Sequence, residues 1–205
     1  MLKLMFKMIL APSYHIKDAD EKYGDKGTIL IFLLNTILFM FLNIVIYDKA
    51  LGSVFLTFKD AIINSVILGI PIGIFTLFGI AHISKLLFKM IGIKLTAKAI
   101  RSCISWGSIT LLFGNIVSVI IRVITILTIE TDVMFRPNFS SSMYILVIFI
   151  FTLIWSIASI FTCVKEFAYT DKINIFITVF VPIIILIEIS KYLTEKIYFL
   201  IMVYL

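Results

Sequence analysis

Two histidines, His15 and His82, and two cysteines, Cys103 and Cys163, are the first residues to test for chemistry. No His-Glu-x-x-His or Cys-x-x-Cys spacing joins them, so the sequence predicts no zinc site. A Gly-x-Ser-x-Gly elbow and a phosphate loop are also missing. Hydrolysis inside a membrane needs a buried nucleophile beside a base, or two carboxylates at the same depth. Glu188 is the one carboxylate placed within a long apolar run, and it has no carboxylate mate there. His82 stands at the end of such a run, where it would cap a helix or meet headgroups. Both cysteines read as small apolar residues. No catalytic, metal or cofactor-binding residue is predicted, and the chain reads as a non-enzyme.

Arg122 is the charged residue that most needs a reason. It lies about seven residues from the outer end of an apolar run, roughly 10 Å inside at 1.5 Å per residue. Insertion scales charge about 2.5–3.5 kcal/mol for arginine at mid-membrane. An intramembrane ion pair between Arg122 and Glu188 is the preferred reading. Snorkelling to outer headgroups is the second. A transport site, with the two charges lining a polar path, is the third.

The elements that would position these groups follow from composition. Of 205 residues, 61% are hydrophobic and 15% charged, against roughly 45–50% and about 25% in soluble domains. A transmembrane helix needs about 20 mostly apolar residues. Five stretches qualify: Thr28–Tyr47, Ala61–Ala81, Ile104–Ile129, Met143–Val164 and Ile173–Ser190. Helices are required, because lone strands leave backbone groups unpaired in lipid. The expected fold is an all-α membrane protein, a bundle of five transmembrane helices over residues 28–190.

Lysine and arginine set the direction. The segment 1–27 and the second and fourth connections hold twelve, while the opposite side holds five. This places the N-terminal side in the cytoplasm and the C-terminal side outside, in a cell membrane. No cleavable signal peptide is expected. Leu2, Met5, Phe6 and Ile9 share a helical face, which predicts a helix lying in the interface. A frayed segment is the alternative. The apolar tail 191–205 is too short to cross and is expected outside. Asn138-Phe139-Ser140 matches a glycosylation sequon, in a loop too short to give it weight.

Small and polar residues mark helix contacts in membranes. Gly107, Gly114, Ser118 and Arg122 form one stripe; Thr152, Ser156, Ser159 and Cys163 form another. Gly69 and Gly73 bracket Pro71, where a close approach and a kink are expected. Between His82 and Cys103 stand five bases and no acid: Lys85, Lys89, Lys94, Lys98 and Arg101. Two short amphipathic helices on an anionic leaflet fit this pattern, the second capped by Thr96. Plain positive-inside bias explains it equally. Nucleic acid is a poor fit, since the segment offers no aromatic platform.

The layout resembles the Yip family of five-span, Ypt/Rab-interacting membrane proteins, its short prokaryotic type in particular. The resemblance is carried by Ile9-Leu10-Ala11-Pro12, by the Gly69–Gly73 span, and by Lys94 to Ser108 (KLTAKAIRSCISWGS). Its longest piece is Ile154–Ile185, IWSIASIFTCVKEFAYTDKINIFITVFVPIII. Eukaryotic members carry an acidic-Leu-Tyr-Gly-Pro motif, of which Glu21-Lys22-Tyr23-Gly24-Asp25 keeps the acid and Tyr-Gly. The resemblance implies a non-enzymatic protein acting through partners. Some bacterial relatives look like accessories of ABC-type exporters that protect the envelope. The expected function is an accessory or scaffold subunit bound to another membrane protein, or a homo-oligomer. The alternative is a small permease or channel.

Overall fold

A computed structural model of the chain describes residues 1–50, 58–128, 139–168, 172–185, 188, 189 and 192. The regular structure among them is helical throughout. In order these are α1 (Leu2–Leu10), α2 (Pro12–Ala50), α3 (Phe58–Met90), α4 (Ala97–Gly107), α5 (Ile109–Thr128), α6 (Phe139–Ala168) and α7 (Lys172–Ile175). A π-helical turn, Phe176–Phe180, continues α7. Pro182 has no N–H to return to Thr178, and the turn before it widens so that Val181 N–H donates to the Phe176 carbonyl.

Four helical stretches are long and apolar enough to cross a membrane: Pro12–Ile44, Lys59–Met90, Ala97–Ile124 and Met143–Ala168. They contain Ala61–Ala81 and Met143–Val164 in full and overlap Thr28–Tyr47 and Ile104–Ile129 as far as Ile44 and Ile124. Within the fifth, Ile173–Ser190, the described residues form a shorter apolar helix, Phe176–Ile185, which is not long enough to count with these four; residues 186, 187 and 190 lie outside the described set. Asn138 and most of the tail 191–205 lie outside it too.

Two local features shape the bundle. Within α2, Gly24 takes φ 52° and ψ −154°, a conformation almost confined to glycine. It divides α2 into a polar arm, residues 12–23, and the apolar stretch beyond. By contrast, α3 runs through Pro71 as one helix to Met90. Residues 82–90 therefore extend the span instead of forming a separate surface helix.

The core gathers around α4. Every residue of α4 from Ala99 to Gly107 is buried. Trp106, Ile100 and Cys103 pack there with Phe88, Leu77, Ile80, Cys163 and Val164. Thr96 caps the helix as expected, its side chain accepting from Ala99 N–H at 3.2 Å. The second amphipathic helix expected on the leaflet is thus a core element. Its polar groups turn toward α2, which supplies the carboxylates that the connection itself lacks.

The small residues hold the helices close. A Cβ on Gly69 would lie 2.9 Å from Ile37 Cα, and one on Gly107 would lie 2.9 Å from Ile160 Cα. Gly73 faces Leu33 and Thr36, while Gly114 faces Thr152. The stripes predicted for lateral contacts are therefore occupied within the chain, α3 on α2 and α4–α5 on α6.

Candidate functional site

Three polar layers cross the bundle, and α4–α5 contributes to each. The first is at the end that carries the arm 12–23, here the basic end. Arg101 donates to both carboxylate oxygens of Asp25, at 2.8 and 2.9 Å from Nη2. Its guanidinium also stacks over the Phe78 ring at 4.6 Å. The Arg101 side chain is 10% exposed and that of Asp25 is 42% exposed, so one partner is desolvated and the other meets solvent.

Next to Arg101, Ser102 donates to Asp20 and exchanges a hydrogen bond with Thr28 at 3.2 Å. Asp20 also meets Lys98 at 3.4 Å. Lys17 reaches across to Glu166 at the end of α6, at 2.8 Å. The polar arm is thus stapled to α4 and α6 by two ion pairs, and Asp25, just beyond Gly24, adds a third at the same end. Tyr23 closes the turn by packing on Trp106, ring centroids 5.7 Å apart.

The second layer is a single buried amide pair. Asn115 Nδ2 donates to Asn35 Oδ1 at 2.6 Å, joining α5 to α2 in an apolar setting. Nearby, the break between α4 and α5 at Ser108 has a consequence for α6. Leu111 N–H donates to Ser156 Oγ at 3.0 Å instead of closing within its own helix. Ser156 is therefore an acceptor for a backbone donor, a sharper role than packing. Ser159 is buried with it.

The third layer holds Arg122, seven residues beyond Asn115 on the same stripe as Ser118. Arg122 is 4% exposed and Ser118 is buried. Glu188 is exposed. No ion pair joins Arg122 to Glu188 among the described residues.

The five bases of the α3–α4 connection divide. Lys85, Lys89 and Lys94 are exposed, while Lys98 and Arg101 are engaged by Asp20 and Asp25. Sequence reasoning missed those acceptors. The signal was present: Asp20 and Asp25 are five apart on one segment, and Lys98, Arg101 and Ser102 share a helical face. Asn35 and Asn115 were also readable, as amides inside apolar spans that need a partner.

Among the described residues, no group of three or more His, Cys, Asp or Glu side chains could hold a metal ion. These features define a helical membrane protein with a buried polar seam. No protein family, curated protein or solved structure matches the chain.

Proposed function

We propose that the chain is a non-catalytic, multi-pass accessory subunit of the cell membrane that holds a second membrane protein along α6. The observation that carries this reading is the uneven burial of the spans. Only 17% of the apolar window of α6 is buried, against 39–44% for the other three. The polar edge of α6 is spent on its own bundle through Thr152, Ser156 and Ser159. Its free face presents Tyr144, Val147, Phe151 and Ile154, with Phe151 stacked on Trp155 at 6.4 Å. Aromatic residues are enriched in protein interfaces.

In this reading the basic end is cytoplasmic and the tail 191–205 is external, following the lysine and arginine bias. The Yip-like layout and the ABC-type exporter as partner come from the sequence resemblance alone. A second copy of the chain is the other occupant of the α6 face. The test is the mass of the particle extracted in mild detergent. An accessory subunit gives a defined mass above 23.4 kDa, with one other membrane protein in fixed ratio. A single chain would overturn the reading.

The exposed lysines Lys85, Lys89 and Lys94 supply an anionic-lipid contact, at about 1 kcal/mol for each cation near the leaflet. Changing all three to Gln should weaken retention of anionic lipid by at least about tenfold at low salt. Native mass spectra of purified protein measure this. Lys98→Gln should leave lipid occupancy nearly unchanged, because its charge is spent on Asp20.

A second reading, a permease, is favoured by the buried line Asn35–Asn115, Ser118 and Arg122. It expects solute flux by the purified chain in liposomes, lost in Arg122→Leu.

A further inference from the structure

The sequence places α1 flat on the membrane surface, but its contacts put it deeper. The ion pair Lys17–Glu166 marks the basic end of α6. Trp155 stands eleven residues farther along α6, about 16 Å away at 1.5 Å per residue. Its indole Nε1 donates to the carbonyl of Ile9 at 3.1 Å. Phe6 packs on Phe113 of α5, ring centroids 5.6 Å apart. The contacts of Gly107 with Ile160 and of Gly114 with Thr152 fix the register of α4–α5 on α6. In that register Phe113 and Trp155 lie at one level, so two independent contacts give the same depth.

We propose that α1 is a re-entrant helix that folds back beside α5 and α6 and is embedded in the leaflet of the basic end. This rests on the reading of the bundle as membrane-spanning. Half of a hydrocarbon core is about 15 Å, so a helix some 16 Å from the charged layer is surrounded by acyl chains.

Three features of α1 suit that medium. Met5 and Met8 are buried against the bundle, while Leu2, Phe6 and Leu10 form an exposed stripe at i, i+4 and i+8. That stripe is 57–81% exposed; it is poor in water and well placed against lipid. Lys3 and Lys7, also exposed, are the charge this placement must carry: their four-carbon stems lean toward headgroups without closing the depth of α1.

The third feature is the helix end. A helix leaves its last carbonyls without partners, and an unpaired carbonyl in hydrocarbon costs several kcal/mol. Here Ala11 N–H takes the Lys7 carbonyl at 2.8 Å and Trp155 takes that of Ile9. Trp155 is a positioning residue that caps α1 from a neighbouring span.

Spin labels report the depth. Labels go at Phe6, Ile154 and Lys165, one at a time, in full-length chain with Cys103 and Cys163 changed to Ala. In vesicles containing anionic lipid, the ratio of oxygen to nickel-chelate accessibility rises with depth. The Phe6 label should match the Ile154 label and exceed the Lys165 label several-fold. If Phe6 matches Lys165 while Ile154 is deep, α1 is a surface helix and the proposal fails alone. If Ile154 also matches Lys165, the spanning assignment of α6 fails with it. Trp155→Phe, which keeps the ring and removes the donor, should move Phe6 toward the Lys165 value. An unchanged ratio in that variant would overturn the capping role.

Discussion

Asp25→Leu should lower stability by about 3 kcal/mol, the lower end of the range for breaking a buried ion pair. The substitution leaves the Arg101 guanidinium desolvated against Phe78 with no acceptor. The lower end applies because Asp25 is 42% exposed in its side chain, so water screens part of the interaction. Replacing both partners, Asp25→Leu with Arg101→Met, should recover much of the loss, since no charge is then stranded. The fraction of monodisperse protein after heating in detergent measures each variant. Equal losses in the single and double variants would mean that the pair contributes packing and not charge.

Gly107→Val should be the other severe change. Its Cβ would sit 2.9 Å from Ile160 Cα and 3.0 Å from Ile160 N, so α6 itself must move. Overpacking of this kind costs about 1–3 kcal/mol, occasionally more. Trimming the opposing side chain with Ile160→Ala should not restore it, because the clash is with backbone. Gly114→Ala meets only the side chain of Thr152 and should cost less. The same heated-fraction assay ranks the three. Rescue by Ile160→Ala would show that α4 and α6 are not held at this backbone distance.

Much of the architecture was legible because lipid leaves few options. Long apolar runs must be helices, so the first four spans could be read from length and hydropathy. The small residues Gly69, Gly73, Gly107 and Gly114 marked close approaches correctly as a type. Which helix each would meet was not readable, since spacing along one helix carries no information about its neighbour. The same limit hid the polar seam. Asp20 and Asp25 are separated from Lys98 and Arg101 by two spans, and the helix break at Gly24 that sets the arm carrying Asp20 apart from the apolar stretch is not written in hydropathy. Seen alone, Lys98 and Arg101 looked like headgroup ligands.

Arg122 shows the converse. Its helical phase predicted an inward position, and it is buried. The partner chosen for it, Glu188, came from counting depth along two helices without knowing their rotation. Glu188 is exposed in the described structure. Trp155 was likewise read only as part of a span, because a bond to the carbonyl of Ile9 depends on the helix break at Ala11, which hydropathy does not encode.

The central claim is that the chain spends its polar and small residues on its own fold and leaves the α6 face for a partner. Photo-cross-linking in native membranes tests it most directly, with the reactive side chain placed at Val147 or Phe151 of α6 and at Ile67 or Phe75 of α3. All four positions are exposed. The account predicts one discrete protein adduct, of the same mass, from both α6 positions and lipid adducts alone from α3. A protein adduct from α3 with none from α6 would contradict it.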